Sequence, residues 1–383
     1  MFKIKRRDFL KYSLAATGGI LAPKVLGDFS ILEGIPLAYA QTKATKLSKV
    51  EAKYYKKLEH KEIQCLLCPK ECKVGDKERG YCGVRENQDG VYYTLVHSLI
   101  CSANVDPIEK KPFFHFLPST KAFSIATAGC NMNCKFCQNW QISQVRPEQV
   151  DNYNLTPELV ASYAEHNGCE SIAYTYSEPV IFYEYMLDCA KEGRKRGIKS
   201  VVVTAGYINH DPLVELCKEV DAIKVDFKGF TEKYYRDICR CELKPIMDRL
   251  VDLAKIGIWL EIVYLMVPTL NDDMKDIKRM CKWMLKDLGP LVPIHFSRFH
   301  PHYLLKNLPP TPVSSLEKAR EIALETGLKY VYIGNVFGHE GENTYCPNCK
   351  KKIIGRIGYT ITEMNIKDNK CKFCGEIIPG VWG

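Results

Sequence analysis

Gly129-Cys130-Asn131-Met132-Asn133-Cys134-Lys135-Phe136-Cys137-Gln138-Asn139-Trp140 is the stretch on which the reading of this chain turns. Cys130, Cys134 and Cys137 stand in a C-x3-C-x2-C spacing, with Phe136 directly before the last of them. Thiolates this close on one loop can hold one soft metal centre from one side. A structural zinc site asks for four ligands, and a fourth is missing locally. Three thiolates instead suit a [4Fe–4S] cluster with one iron left open to a substrate or cofactor. The competing readings are a reduced cysteine cluster and a zinc site completed from a distance.

Around that loop, 383 residues leave room for one large domain and smaller modules. At 46% hydrophobic and 26% charged, the composition is that of an ordinary folded protein. The net charge of +9 sits partly in the first eleven residues, with no arginine-rich arm and no basic run interleaved with aromatics. That pattern speaks against a nucleic-acid partner. Eighteen cysteines are many, but a secreted disulfide scaffold is normally shorter and denser in cysteine. Twelve of the eighteen fall at 65/68/72/82, 130/134/137, 346/349/371/374 and 101, which reads as metal ligation. Cys169, Cys189, Cys217 and Cys281 read as small buried hydrophobes.

Residues 1–40 read as an export signal: a basic start with Arg6-Arg7, a modestly apolar stretch, and Ala38-Tyr39-Ala40 as a cleavage site. The paired arginines resemble a twin-arginine signal, which carries folded proteins. The protein is then expected outside the cytoplasmic membrane, or in the cytoplasm if the signal is not used. Lys24, Asp28 and Glu33 interrupt the apolar run, so no stable transmembrane span is expected. Residues 41–60 read as a polar linker running into a short helix.

Residues 61–118 form a small module around Cys65-x2-Cys68-Pro69-x2-Cys72 and Gly80-Tyr81-Cys82-Gly83-Val84-Arg85. Four cysteines can close a tetrahedral zinc site or hold a second iron–sulfur cluster, and the spacing leaves both open. Residues 106–115, DPIEKKPFFH, read either as a solvated connection or as a charged loop facing a substrate.

From 119 to 340, strands and helices alternate. Strands are predicted at 123–127, 171–174, 200–204, 222–227, 258–265, 294–296 and 330–333, with helices between them. One helix opens at Thr156-Pro157, and the last opens with a capping-box pattern at Ser314-Ser315-Leu316-Glu317. The alternation implies an α/β fold with a parallel sheet, a partial or full (β/α) barrel. Active groups then belong at the C-terminal ends of the strands. The three-cysteine loop follows the first strand, Thr175-Tyr176-Ser177-Glu178-Pro179 the second, and Asp226 and Lys228 the fourth. Residues 341–383 carry Cys346-x2-Cys349 and Cys371-x2-Cys374, the spacing of a four-cysteine zinc ribbon, with a single iron in the same sulfur set as the alternative.

From about residue 61 to about 340, these motifs resemble radical S-adenosylmethionine (SAM) enzymes of the pyruvate formate-lyase activating type. Cys82-Gly83-Val84-Arg85, DPIEKKPFFHF, CNMNCKFCQNWQISQ and AYTYSEP together look like the radical SAM enzyme of the AmmeMemoRadiSam system. The resemblance implies that Cys130, Cys134 and Cys137 bind a [4Fe–4S] cluster. It places Phe136 by the adenine of SAM, Ser177 and Glu178 by its amino group, and Asp226 and Lys228 by its ribose and carboxylate. It implies reductive cleavage of SAM to a 5′-deoxyadenosyl radical that abstracts hydrogen from a protein or small-molecule substrate, with glycyl-radical activation as a specific case. An electron donor, and the other proteins of that system, are the implied partners. An exported iron–sulfur electron carrier without SAM chemistry is the reading from a different class. The zinc-ribbon tail and the export signal depart from the common core.

Overall fold

The computed structural model describes residues 43–383; the signal expected at 1–40 lies outside the described residues. The seven predicted strands and one unpredicted strand ahead of them form one eight-stranded sheet: β1 (Ser102–Pro107, unpredicted), β2 (Lys121–Ala126), β3 (Ser171–Tyr174), β4 (Lys199–Thr204), β5 (Ala222–Asp226), β6 (Trp259–Met266), β7 (Ile294–Arg298) and β8 (Val331–Gly334). Their order in space is their order in sequence, β1 through β8. β2 to β8 run parallel, and β1 pairs antiparallel with β2 along its whole length. β1 and β8 are both edge strands, so the sheet is open, a partial barrel and not a full one. Near-continuous apolar runs such as Val201-Val202-Val203 are what a strand covered on both faces needs.

Six helices of ten or more residues fill the connections: α1 (Pro157–His166), α2 (Tyr183–Lys195), α3 (His210–Glu219), α4 (Leu243–Ile256), α5 (Met274–Asp287) and α6 (Val313–Thr326). Thr156 caps α1, its side chain accepting from Leu159 N, with Pro157 in the first position. α4 ends where Gly257 takes φ 79°, a left-handed turn that residues with a Cβ resist. α6 differs from its expected start. It begins at Val313 behind Pro312 with no side-chain cap, because the proline already fixes the entry at φ −58°. Among the described residues, no helix is long and apolar enough to cross a membrane.

The four-cysteine segment folds as two three-stranded antiparallel sheets. One joins Val50–Glu51, Arg85–Gln88 and Val91–Thr94, the other Tyr55–Lys57, Ile63–Cys65 and Lys73–Val74. Residues 50–57, expected as a linker into a short helix, thus supply a strand to each. Long-range pairing of Val50 with Thr94 and of Tyr55 with Cys65 overrides their polar composition. The segment docks on α2 through Arg85, fully buried, whose Nη2 donates to Glu184 at 2.5 Å, and through Lys53 N, which donates to the same carboxylate at 2.7 Å.

The opposite, N-terminal mouth of the parallel strands is closed from within the chain. Glu261 on β6 accepts from Phe114 N (3.0 Å), His115 N (2.8 Å), Trp259 Nε1 (3.1 Å) and His295 Nε2 (2.8 Å), so DPIEKKPFFH becomes a strap held under the sheet. The tail packs on that strap. Its sheet of Thr344–Tyr345, Lys352–Ile357 and Thr360–Met364 buries Ile353 and Ile354 with Phe114, Tyr330 and Tyr332. Arg356 donates to Phe114 O at 2.8 Å and lies 4.1 Å over the Phe114 ring.

Candidate active site

The three-cysteine loop leaves the C-terminal end of β2 and is pinned on three sides. Gly129 takes φ +98°, and a Cβ there would meet Val84 Cγ1 at 2.6 Å and Cys82 O at 2.7 Å, so only glycine fits between the loop and the N-terminal module. Asn139 Nδ2 donates to Tyr176 O at 2.9 Å, tying the loop to the end of β3. Asn133 N and Lys135 N donate to the carbonyls of Cys239 (3.1 Å) and Ile238 (3.0 Å), tying it to a π-turn over Tyr235–Cys239. Such turns, with one residue more than an α-helix needs, recur at functional sites.

All eighteen cysteines of the chain are free thiols. Among the described residues, no three of the thiols at 130, 134, 137 and 239 lie within the 4.8 Å that marks a candidate single-ion site. A thiolate set spread more widely than one ion allows fits a multi-iron cluster, whose ligands sit on separate irons. The sulfurs also meet hydrogen-bond donors: Met132 N reaches Cys130 Sγ at 3.4 Å, and Ser143 Oγ lies 3.1 Å from Cys137 Sγ. Burial pushes the Cys130 thiol well up, and the Glu178 carboxylate adds to the shift. Cys134 goes the other way. A hydrogen bond with Cys239 lowers it, and the Lys228 ammonium helps against burial.

The strand-end residues converge on the same loop. Glu178 is buried; its carboxylate accepts from Thr204 Oγ1 and from Ala205 N at 2.8 Å. Ser177 is directed elsewhere, donating to Thr127 O at 2.7 Å. Lys228 Nζ lies 5.7 Å over the Phe136 ring and 3.6 Å from Asp226 Oδ2. Burial disfavours its charge, but Asp226 and then Cys134 hold it up, and the net direction is upward. Phe136 stacks on Tyr234 with centroids 6.3 Å apart. Asn271 and Arg298, at the ends of β6 and β7, bind backbone carbonyls instead: Lys228 O at 2.8 Å and Thr311 O at 2.9 Å.

Below the mouth lies a charged interior. Tyr176, in the left-handed region at φ 64°, donates its hydroxyl to Asp106. Asp106 also accepts from Lys110 (2.8 Å) and Lys111 (2.5 Å), and Lys111 Nζ sits 4.6 Å over the Tyr176 ring. Burial brings the Lys111 ammonium down to about 8, against the pull of Asp106. Lys224, two residues before Asp226 on β5 and so on the same face, bonds to that carboxylate. DPIEKKPFFH therefore serves two ends: Phe114 and His115 seal the lower mouth, while Asp106 and Lys111 face inward. Lys224 was not selected from the sequence, although its period-two spacing from Asp226 is the signal that could have found it. Tyr176 and Cys239 were not selected from the sequence, and Cys239-Arg240-Cys241 has no ligand spacing that would have marked it.

The other two cysteine sets differ in spacing. Cys346, Cys349, Cys371 and Cys374 bring all four sulfurs within 4.8 Å of one another, with pairs at 3.6 and 3.8 Å. Zn–S bonds of about 2.3 Å in a tetrahedron put sulfurs about 3.8 Å apart, so this set fits one tetrahedral ion. Cys65, Cys68, Cys72 and Cys82 line a shared cavity, yet among the described residues no three of them meet that spacing.

The radical SAM superfamily profile matches residues 124–282, β2 through most of α5. An uncharacterized protein of Methanocaldococcus jannaschii is 44% identical over 330 residues, 86% of this chain and 98% of that protein. The pyruvate formate-lyase-activating enzyme of Clostridium pasteurianum is 22% identical over 175 residues, 45% of this chain and 72% of that enzyme. A crystal structure of a domain of pyruvate-formate lyase-activating enzyme from Bacteroides vulgatus aligns with 43% of this chain and 98% of its own, at 17% identity and a TM-score of 0.39. Residues 124–282 form a radical SAM superfamily domain, and the chain belongs to the family of that archaeal protein. Membership implies a [4Fe–4S] cluster and SAM as cofactors.

Proposed function

We propose that Cys130, Cys134 and Cys137 hold a [4Fe–4S] cluster with one iron open to SAM, and that the chain abstracts hydrogen from a substrate admitted at the C-terminal mouth of the sheet. The observation that carries this is the convergence of Glu178, Asp226, Lys228 and Phe136 on a three-cysteine loop spread too widely for one ion. Held by Cys130, Cys134 and Cys137, a reduced cluster would supply the one-electron reduction of SAM on which hydrogen abstraction depends. Glu178, held by Thr204 and Ala205, offers a fixed acceptor for the SAM ammonium. Lys228 offers a cation to its carboxylate, and Asp226 an acceptor to its ribose. Phe136, braced by Tyr234, supplies a face for adenine. Ser177, spent on Thr127 O, fixes the end of β3 beside Glu178.

Two substrate readings follow from different observations. Similarity to pyruvate formate-lyase-activating enzyme favours a glycyl radical made on a partner protein. The interior of Asp106, Lys111, Tyr176 and Lys224 favours a small, charged molecule, modified together with the other proteins of the AmmeMemoRadiSam system. In the tail we propose zinc in the four-sulfur set, and for residues 1–40 export by the twin-arginine route, tested by whether cell fractionation finds a chain cut after Ala40.

Anaerobic reconstitution with dithionite and SAM tests the catalytic reading. 5′-Deoxyadenosine is expected, and Cys134→Ala should abolish its formation and remove the iron and absorbance that belong to the three-cysteine loop. Undiminished SAM cleavage in that variant would sink the assignment, and a cluster that forms without any 5′-deoxyadenosine would leave the electron-carrier reading. A radical signal on a partner protein separates protein activation from small-molecule chemistry.

A further inference from the structure

The cavity of the N-terminal module has an unusual lining. Cys65, Cys68, Cys72 and Cys82 surround it together with Arg85, Tyr92, Lys70, Tyr81, Val180, Ile181 and Asn131. Four soft ligands lining one space are a ligand set, and among the described residues no three of them stand as close together as the four of the tail. A four-iron cubane, each thiolate on its own iron, accommodates the wider spacing. Tyr81 N donates to Cys72 Sγ at 3.4 Å, as backbone amides do to ligating sulfurs. Arg85, fully buried on the cavity wall and paired with Glu184 at 2.5 Å, stands beside the sulfurs, where its cation would favour thiolates. Asn131, on the three-cysteine loop, also lines the cavity; it is 1% exposed and its Nδ2 donates to Tyr207 O at 2.8 Å.

We propose that Cys65, Cys68, Cys72 and Cys82 hold a second [4Fe–4S] cluster that stands between the protein surface and the first. On the outer side, Tyr81 is exposed, with the Lys70 ammonium 4.6 Å over its ring. On the inner side, Asn131 belongs to the three-cysteine loop itself, and Cys82 O packs against Gly129, next to Cys130. Val180 and Ile181 wall the cavity two and three residues after Glu178. One electron enters from a low-potential one-electron carrier protein, which is left oxidised by one unit. One electron leaves toward the inner centre, and no bond or proton changes. The existence of this cluster is independent of the reading of the core, while its role as an inlet rests on that reading.

Counting iron tests it on the full chain. After anaerobic reconstitution, a variant with Cys130, Cys134 and Cys137 all replaced by Ala should keep the iron and labile sulfide of one four-iron cluster. Reduction should give it the electron paramagnetic resonance of a reduced [4Fe–4S] centre. Adding Cys65→Ala and Cys72→Ala should remove both. Protease resistance of the N-terminal module, beside the melting temperature, reports that each variant is folded. If the triple variant collapses, the wild-type protein decides, with the iron of two clusters expected and that of one contradicting the proposal. A triple variant that takes up a second zinc and no iron overturns it, as does iron that survives Cys65→Ala and Cys72→Ala. Neither outcome depends on SAM cleavage, so failure here and failure of the catalytic reading are told apart.

Discussion

The N-terminal module and the tail each bring four cysteines to one place, but they build different things with them. In the tail, two Cys-x2-Cys knuckles close until sulfur pairs stand at 3.6 and 3.8 Å, a spacing that suits one tetrahedral ion. In the N-terminal module the four sulfurs stay further apart around a shared cavity. Position follows the same division. The tail closes the mouth away from the chemistry, through Arg356, His115 and a buried apolar cluster. The N-terminal module leans on the three-cysteine loop at Gly129 and on α2 at Glu184. Ligand count alone therefore does not separate a structural site from one with access to the reaction; spacing and neighbours do.

Removing the tail metal should have the largest effect. Structural zinc contributes apparent free energies of about 10–16 kcal/mol in small modules, and with the zinc proposed here most of the tail's own folding would depend on it. Chelation, or Cys371→Ser, should unfold residues 344–383, expose Phe114 and Tyr330, and lower the melting temperature. Protease cleavage inside the tail reads this directly. A chelated protein with an intact tail and unchanged melting would erase the contrast between the two modules. Next in size, Glu184→Ala leaves Arg85 buried without its partner. Breaking such a pair costs about 3–5 kcal/mol, and the N-terminal module should become protease-sensitive while the tail stays protected. Equal loosening of both modules would show that they do not dock independently.

How much of this was readable beforehand divides along local and long-range physics. The seven parallel strands were legible because each is a short apolar run between turn residues, and the three-cysteine loop because its spacing is local. β1 was not, since Ser-Ala-Asn-Val-Asp-Pro is polar and becomes a strand only by pairing with β2. The openness of the sheet depends on which edges meet, which no local pattern records. Glu178, Asp226 and Lys228 were marked as strand-end residues. Tyr176 was missed because its side chain turns back into the interior from a left-handed residue, and Cys239 because its approach to Cys134 is set by a π-turn one hundred residues downstream. For the N-terminal cysteines, sequence spacing admits both zinc and a cluster, and the distinction rests on distances between sulfurs that only the folded module fixes.

The smallest of these effects concerns how the tail is seated. His115 is fully buried, with Nδ1 2.8 Å from Pro379 O and Nε2 2.6 Å from Tyr332 Oη. Burial brings its imidazole down to about 4; Glu261 opposes that shift, while Arg356 and His295 reinforce it. The unfolded chain binds the same proton near pH 6.5, so protons favour unfolding. The stabilisation from keeping His115 neutral is complete above about pH 6.5 and is lost as pH falls toward about 4, amounting to about 3 kcal/mol across that window. Thiolate protonation at the tail metal would also weaken the module in acid, but equally in a variant that keeps the cysteines. Urea unfolding of wild type and His115→Gln between pH 7 and pH 4, with tail metal measured at each point, isolates the histidine. The wild type should lose stability more steeply than the variant, and parallel curves would mean that His115 titrates in the folded protein much as it does in the unfolded chain.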